Sequence, residues 1–64
     1  MIYINGEEAD VFGMTIAEYL QAKGYRADIV AVELNGEIVP RDSFGAVRFG
    51  DGDSVEIVRF VGGG

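Results

Sequence analysis

The sequence predicts an α+β domain, a mixed sheet of about five strands with one main helix on one face. Three observations carry this prediction. Two Asn-Gly dipeptides, Asn5-Gly6 and Asn35-Gly36, each sit between short runs of strand-forming residues. One helical segment, with signals at its start and its stop, lies between these hairpins. A long apolar run over 54–61 follows an irregular stretch and has no hairpin partner, so it must pair elsewhere in the sheet.

Met1-Ile2-Tyr3-Ile4 is β-branched and aromatic and reads as the first strand. Asn5-Gly6 turns the chain, because both residues tolerate positive φ. The return strand is expected over 8–12, where Glu8 and Asp10 alternate with Ala9 and Val11, as suits an edge strand with one wet face. Thr15-Ile16-Ala17-Glu18 fits a capping box, with Thr15 at the N-cap and Glu18 three residues on. Met14 and Tyr19 hold the two positions of a hydrophobic staple. Ile16, Tyr19, Leu20 and Lys23 share one helical face. Gly24 suits a left-handed residue after the last turn, with Tyr25 folding back onto Leu20.

The run 29–34 is the next strand, Asn35-Gly36 the second turn, and Glu37-Ile38-Val39 the return, ended by Pro40, which has no N–H to donate. Residues 41–46 are expected to be irregular or a single helical turn, with Phe44 plugging the core. Val47-Arg48-Phe49 extends briefly, and Gly50-Asp51-Gly52-Asp53 is a turn. The first strand has a free side beyond its hairpin partner. The last strand fills it in parallel, so the first and last strands become central. This is the β-grasp, or ubiquitin-like, arrangement.

Composition narrows the chemistry. The 64 residues are 48% hydrophobic and 25% charged, with a net charge of −6 and no Cys, His or Trp. A chain this short makes one domain and buries only ~60% of its unfolded surface. We expect that domain over 1–61 and a flexible Gly-Gly-Gly tail over 62–64. Disulfides, thiolate or imidazole metal ligands, and Cys or His catalysis are excluded. The five basic residues are scattered along an acidic chain, which argues against nucleic acid. The acidity suits a partner with a basic patch, or simply keeps a small protein soluble. No run approaches the ~20 apolar residues of a membrane span, and no signal sequence is visible, so a cytoplasmic location is expected.

Alternation on the last strand puts Val55, Ile57 and Arg59 on one face and Glu56, Val58 and Phe60 on the other. Val55 and Ile57 are the natural core pair. Val58 and Phe60 then stand on the uncovered face, either as a partner surface or beneath the 41–46 loop. The glycines that follow have no side chain to pack, and they read either as a frayed terminus or cloning remnant, or as a thread for a narrow channel. The terminal carboxylate resists nucleophiles, but as a mixed anhydride with AMP it accepts sulfur or an amine, and glycine hinders least.

The runs from Val32 to Arg41 (Val-Glu-Leu-Asn-Gly-Glu-Ile-Val-Pro-Arg) and from Asp51 to Ile57, with the terminal Gly63-Gly64, carry a resemblance. The chain resembles the sulfur carrier proteins of thiamine biosynthesis, the ThiS family, over essentially its whole length. Phe44 stands where relatives often carry Trp. The resemblance implies that an E1-like adenylating enzyme (ThiF type), using ATP and Mg, activates the carboxyl of Gly64. A sulfur donor such as a cysteine desulfurase then yields a thiocarboxylate, which thiazole synthase (ThiG type) consumes. The chain itself is then no enzyme and binds no cofactor. Gly62 and Gly63 become the thread, and Val58, Phe60 and Val61 the docking face. Arg41 and Arg59 are left as either partner contacts or solvated charges. A sulfur carrier for molybdopterin, a tungsten cofactor or an amino acid, a ubiquitin-like modifier, and a non-covalent interaction domain are the alternatives.

Overall fold

In the computed structural model the described residues are 1–60. They form β1 (Ile2–Ile4), β2 (Glu7–Ala9), α1 (Ile16–Lys23), β3 (Val30–Leu34), β4 (Glu37–Ile38) and β5 (Ser54–Arg59), with single 3-10 turns at Ala27–Ile29 and Arg41–Ser43. The sheet order is β2-β1-β5-β3-β4. β1 and β5 run parallel, and the other neighbours are antiparallel. The expected β-grasp topology is the one observed.

Local chemistry explains the turns. Asn5 and Asn35 have φ of 53° and 52°, and the glycines after them 82° and 87°. Two consecutive positive φ values define a type I′ turn, whose twist matches a hairpin. Such a loop spends only two residues, so Ile4 faces Glu7 and Leu34 faces Glu37. This corrects the expected return strand over 8–12. Pairing begins at once after Gly6 and stops at Ala9, and the chain then swings toward the helix, burying Val11 and leaving Phe12 exposed.

The helix is held at both ends as its sequence requires. Thr15 Oγ1 accepts the Glu18 N–H at 3.0 Å, and Glu18 Oε1 accepts the Thr15 N–H at 2.8 Å. At the other end Gly24 sits at φ 80°, the Gly24 N–H donates to Gln21 and the Tyr25 N–H to Leu20. That is a Schellman ending, open to glycine because the left-handed conformation costs it little. A helix of eight residues is too short to persist alone. It persists because Ile16, Tyr19 and Leu20 are buried, while Lys23 on the same face remains exposed.

Their cover is the inner face of the sheet: Ile2 and Ile4 of β1, Val30 and Val32 of β3, Val55 and Ile57 of β5. Phe44 turns inward as expected, 4% exposed, and its carbonyl accepts the Ala17 N–H at 2.9 Å. Phe49 meets Tyr19 edge-on with ring centroids 5.9 Å apart. The 47–49 segment lies against the start of the helix, where Ile16 N–H donates to Val47 and Phe49 N–H to Met14. Among the described residues none gives the outer face of the sheet such cover.

Two predictions follow from the helix. Thr15→Ala removes one half of the capping box and should cost about 1 kcal/mol in urea unfolding. The Tyr19 hydroxyl is pushed above its ordinary range by burial first, then by Tyr25 and Glu7 nearby. Its folded pKa exceeds its unfolded one, so its contribution is intact below about pH 10 and is lost as pH rises through the raised value. Tyr19→Phe should therefore flatten the alkaline fall in stability, read from unfolding midpoints across that range.

Candidate functional site

The strand registers determine what the uncovered face displays. With Val55 and Ile57 turned inward, Ser54, Glu56, Val58 and Phe60 turn outward. Val58 is 55% exposed and Phe60 61%, so the 41–46 loop does not cover them. Across the ladder, Ala31 lies opposite Val58, and Glu33 opposite Glu56. Ile38, 64% exposed, lies opposite Glu33 and belongs to the same face. A shallow hollow of 230 Å³ joins Phe60 to Ala31, Ile38 and Pro40, with Arg41 and Phe44 on its wall. The apolar group is therefore wider than Val58 and Phe60 alone.

Ile38 was legible in the sequence. A two-residue turn at Asn35-Gly36 puts residue 33 opposite 38, and a glutamate at 33 marks that side as the wet one. The docking residues named from the sequence were drawn from the last strand alone, so this cross-strand neighbour was missed.

The charge on this face is one-sided. Glu8, opposite Tyr3 at the far edge, joins Glu33 and Glu56 on the outer surface. Arg59 is the one basic residue in the described strands, and it sits on the inner-face side of the alternation. Two like charges directly across an antiparallel pair work against the sheet. Glu33 and Glu56 thus cost stability in the free domain, and a cation brought by a partner would relieve them.

The two candidate arginines have partners within the fold. Arg41 Nε donates to the Ala27 carbonyl at 2.8 Å and Nη2 to that of Asp28 at 3.3 Å, tying together the two 3-10 turns. The Arg59 guanidinium lies over the Tyr25 ring, 5.1 Å from its centre, so the last residue of β5 is anchored on the ending of the helix. Neither is a simple solvated charge. Val61, Gly62, Gly63 and Gly64, the rest of the site named from the sequence, lie outside the described residues.

Recognition is what this surface can do. Among the described residues no three His, Cys, Asp or Glu side chains converge to hold a metal. No helix of the described residues is long and apolar enough to cross a membrane.

Comparison with known proteins agrees with this geometry. The family model described as "ThiS family" matches residues 2–64. A protein of Paramagnetospirillum magneticum named thiazole synthase is 47% identical over 64 residues, covering 98% of this chain and 20% of its own length. One of the same name from Magnetococcus marinus is 39% identical with the same coverage. The chain thus spans about a fifth of these two relatives. The sulfur carrier protein ThiS of Bacillus subtilis is 42% identical over 50 residues, 78% of this chain and 76% of that protein. The crystal structure of a thiamine biosynthesis protein (ThiS) from Geobacter metallireducens superposes with a TM-score of 0.80 at 40% identity, covering 98% of this chain and 97% of that one. A family match over nearly the whole length, on the same fold, shows that this chain belongs to the ThiS family.

Proposed function

We propose that this chain is a sulfur carrier of thiamine biosynthesis, and that the carboxyl of Gly64 carries the sulfur. The observation that carries the reading is the position of the exposed apolar group. Val58 and Phe60 stand on the outer face of the strand that leads directly into Val61 and the three glycines. A partner that grips this face holds the tail at a defined place.

The chemistry then needs only the main chain. The Gly64 carboxylate attacks the α-phosphorus of ATP and pyrophosphate leaves, giving an acyl-adenylate. The terminal sulfur of a donor persulfide attacks the acyl carbon and AMP leaves, giving an acyl disulfide. A thiol reductant then cleaves its S–S bond, is itself oxidised to a disulfide, and frees the thiocarboxylate and the donor thiol. An adenylating enzyme supplies ATP, Mg and the electrophilic surroundings, and a cysteine desulfurase or related donor supplies sulfur. Thiazole synthase is the proposed acceptor. That reading is supported by two relatives of that name which contain a segment similar to this chain within one longer polypeptide. The carrier is a co-substrate of these enzymes and itself catalyses nothing, and the cytoplasm is the compartment such ATP chemistry implies.

Each partner meets the same features in turn. The apolar group supplies contact area, and the carboxylates of Glu33 and Glu56 favour a partner with a positive surface and speed encounter with it. Gly62 and Gly63 fit a channel in which any Cβ would clash, and Val61 joins them to the gripped face.

Intact mass spectrometry tests the carboxyl chemistry. Incubation with the adenylating enzyme, ATP and a sulfur donor should add the mass of one sulfur exchanged for one oxygen, and deleting Gly64 should abolish the gain. An amide adduct on lysines of other proteins would instead mean a modifier, and no ATP-dependent change at all would mean a non-covalent domain. The docking face has its own test. Phe60→Asp should leave the unfolding free energy within about 0.5 kcal/mol, as for exposed positions generally. It should weaken binding to the partner enzymes at least tenfold, as loss of an interface anchor does. Unfolding without a change in binding would return Phe60 to the core.

A further inference from the structure

β5 is flanked unequally. On one side β3 accompanies it from Leu34 opposite Val55 to Val30 opposite Arg59, and the Phe60 N–H continues the ladder to the Ile29 carbonyl at 2.8 Å. On the other side β1 pairs only as far as Ile4 opposite Val55. The Asn5 N–H still reaches the Val55 carbonyl at 2.8 Å. The Asn5 carboxamide then stands in for one further peptide group: Oδ1 accepts the Ile57 N–H at 2.8 Å, and Nδ2 donates to the Ile57 carbonyl at 3.3 Å. After that the chain turns at Gly6 and leaves on the far side of β1.

Main-chain groups alternate in direction along a strand. Those of Val55 and Ile57 point toward β1, and that of Phe60 toward β3. Arg59 is therefore the next residue whose N–H and C=O point to the β1 side. Neither has a main-chain partner among the described residues. The other edges of the sheet are blunted by brevity, since β2 has three residues and β4 two, with Pro40 just beyond. Among the described residues the end of β5 has no such protection.

We propose that the Arg59 main chain is a docking edge, where an extended segment of thiazole synthase pairs with β5 on the side that β1 leaves open. The inference rests on the reading of this chain as a carrier that docks on that enzyme. Strand addition of this kind takes its affinity from main-chain hydrogen bonds and its specificity from alternate side chains. The incoming segment is strand-forming, with an apolar side chain on the outer face beside Val58 and Phe60. The opposite face is already occupied by the Arg59 guanidinium over Tyr25. The segment continues the line begun by the Asn5 carboxamide and grips β5 one residue before the exposed Phe60.

Amide hydrogen exchange reads the edge directly. In the free chain the Arg59 amide should exchange fast and the Phe60 amide slowly. In complex with the thiazole synthase of the same genome, Arg59 should slow at least tenfold, and an Arg59 amide as fast in the complex as in the free chain overturns the proposal. A pair of substitutions separates bonding from mere coverage. Arg59→Pro removes an N–H that β3 does not use, as strand edges tolerate. Arg59→Ala removes the side chain and keeps the N–H. Affinity for thiazole synthase should be about tenfold weaker for Arg59→Pro than for Arg59→Ala, the scale of one lost hydrogen bond. Equal affinities overturn the proposal, and if Arg59→Pro fails to fold, exchange at Arg59 decides alone. Absence of any binding by the unaltered chain overturns the carrier reading as well, whereas binding with an unprotected Arg59 overturns this inference only.

Discussion

Every part of this domain leans on the main chain of β5. The strand follows both hairpins in the sequence and sits between them in the sheet, so β5 is what joins the two hairpins into one sheet. Each hairpin contributes its turn asparagine as well as its strand. Asn5 brackets Ile57 with its carboxamide, and Asn35 Oδ1 accepts the Ser54 N–H at 2.9 Å while its Nδ2 donates to Asp53 at 3.0 Å. An Asn-Gly turn would reverse the chain equally well with its side chain in water. Here the same residue supplies the positive φ that the turn needs and a peptide-like group that extends the pairing of β5. The position of the strand is fixed from both sides.

Much of this was legible in the sequence, because the signals are local. Two-residue turns, a capping box and a glycine at the helix end each rest on neighbours within a few residues, and each holds in the structure. The parallel pairing of β1 with β5 spans the whole chain. It was still reachable, since a hairpin leaves one side of β1 open and only the last strand remained to fill it. The failures share a cause. The return strand was set one residue late and too long, because alternation alone does not register a strand against its partner. Arg41 looked free because its acceptors are carbonyls, and main-chain carbonyls leave no mark on composition. The Arg59 and Tyr25 contact joins residues far apart in sequence, with no periodicity between them. Val58 and Phe60 could be placed on the outer face but not declared bare, because only the inward turn of Phe44 shows that the loop leaves them uncovered.

The domain also violates local rules, and several of the violations meet on one side of the sheet. Exposed Val58, Phe60 and Ile38, the opposed Glu33 and Glu56, and the main chain of Arg59, unpaired among the described residues, lie on or beside the adjoining strands β5, β3 and β4, while exposed Phe12 stands apart from them. A small domain has little stability to spare. Each feature works against it: apolar side chains left in water forgo burial, opposed carboxylates repel, and an open edge invites wrong partners. A sequence with no functional demand would remove such conflicts cheaply, since Phe60→Thr or Glu33→Lys disturbs no buried contact. What the three share is that one partner can satisfy them together. A partner surface that is apolar, positively charged and bordered by an extended segment buries the first, neutralises the second and pairs with the third. The absence of Cys and His therefore does not make this an inert domain. Its recognition features are gathered on the outer face and the edge of one strand, within reach of a single partner.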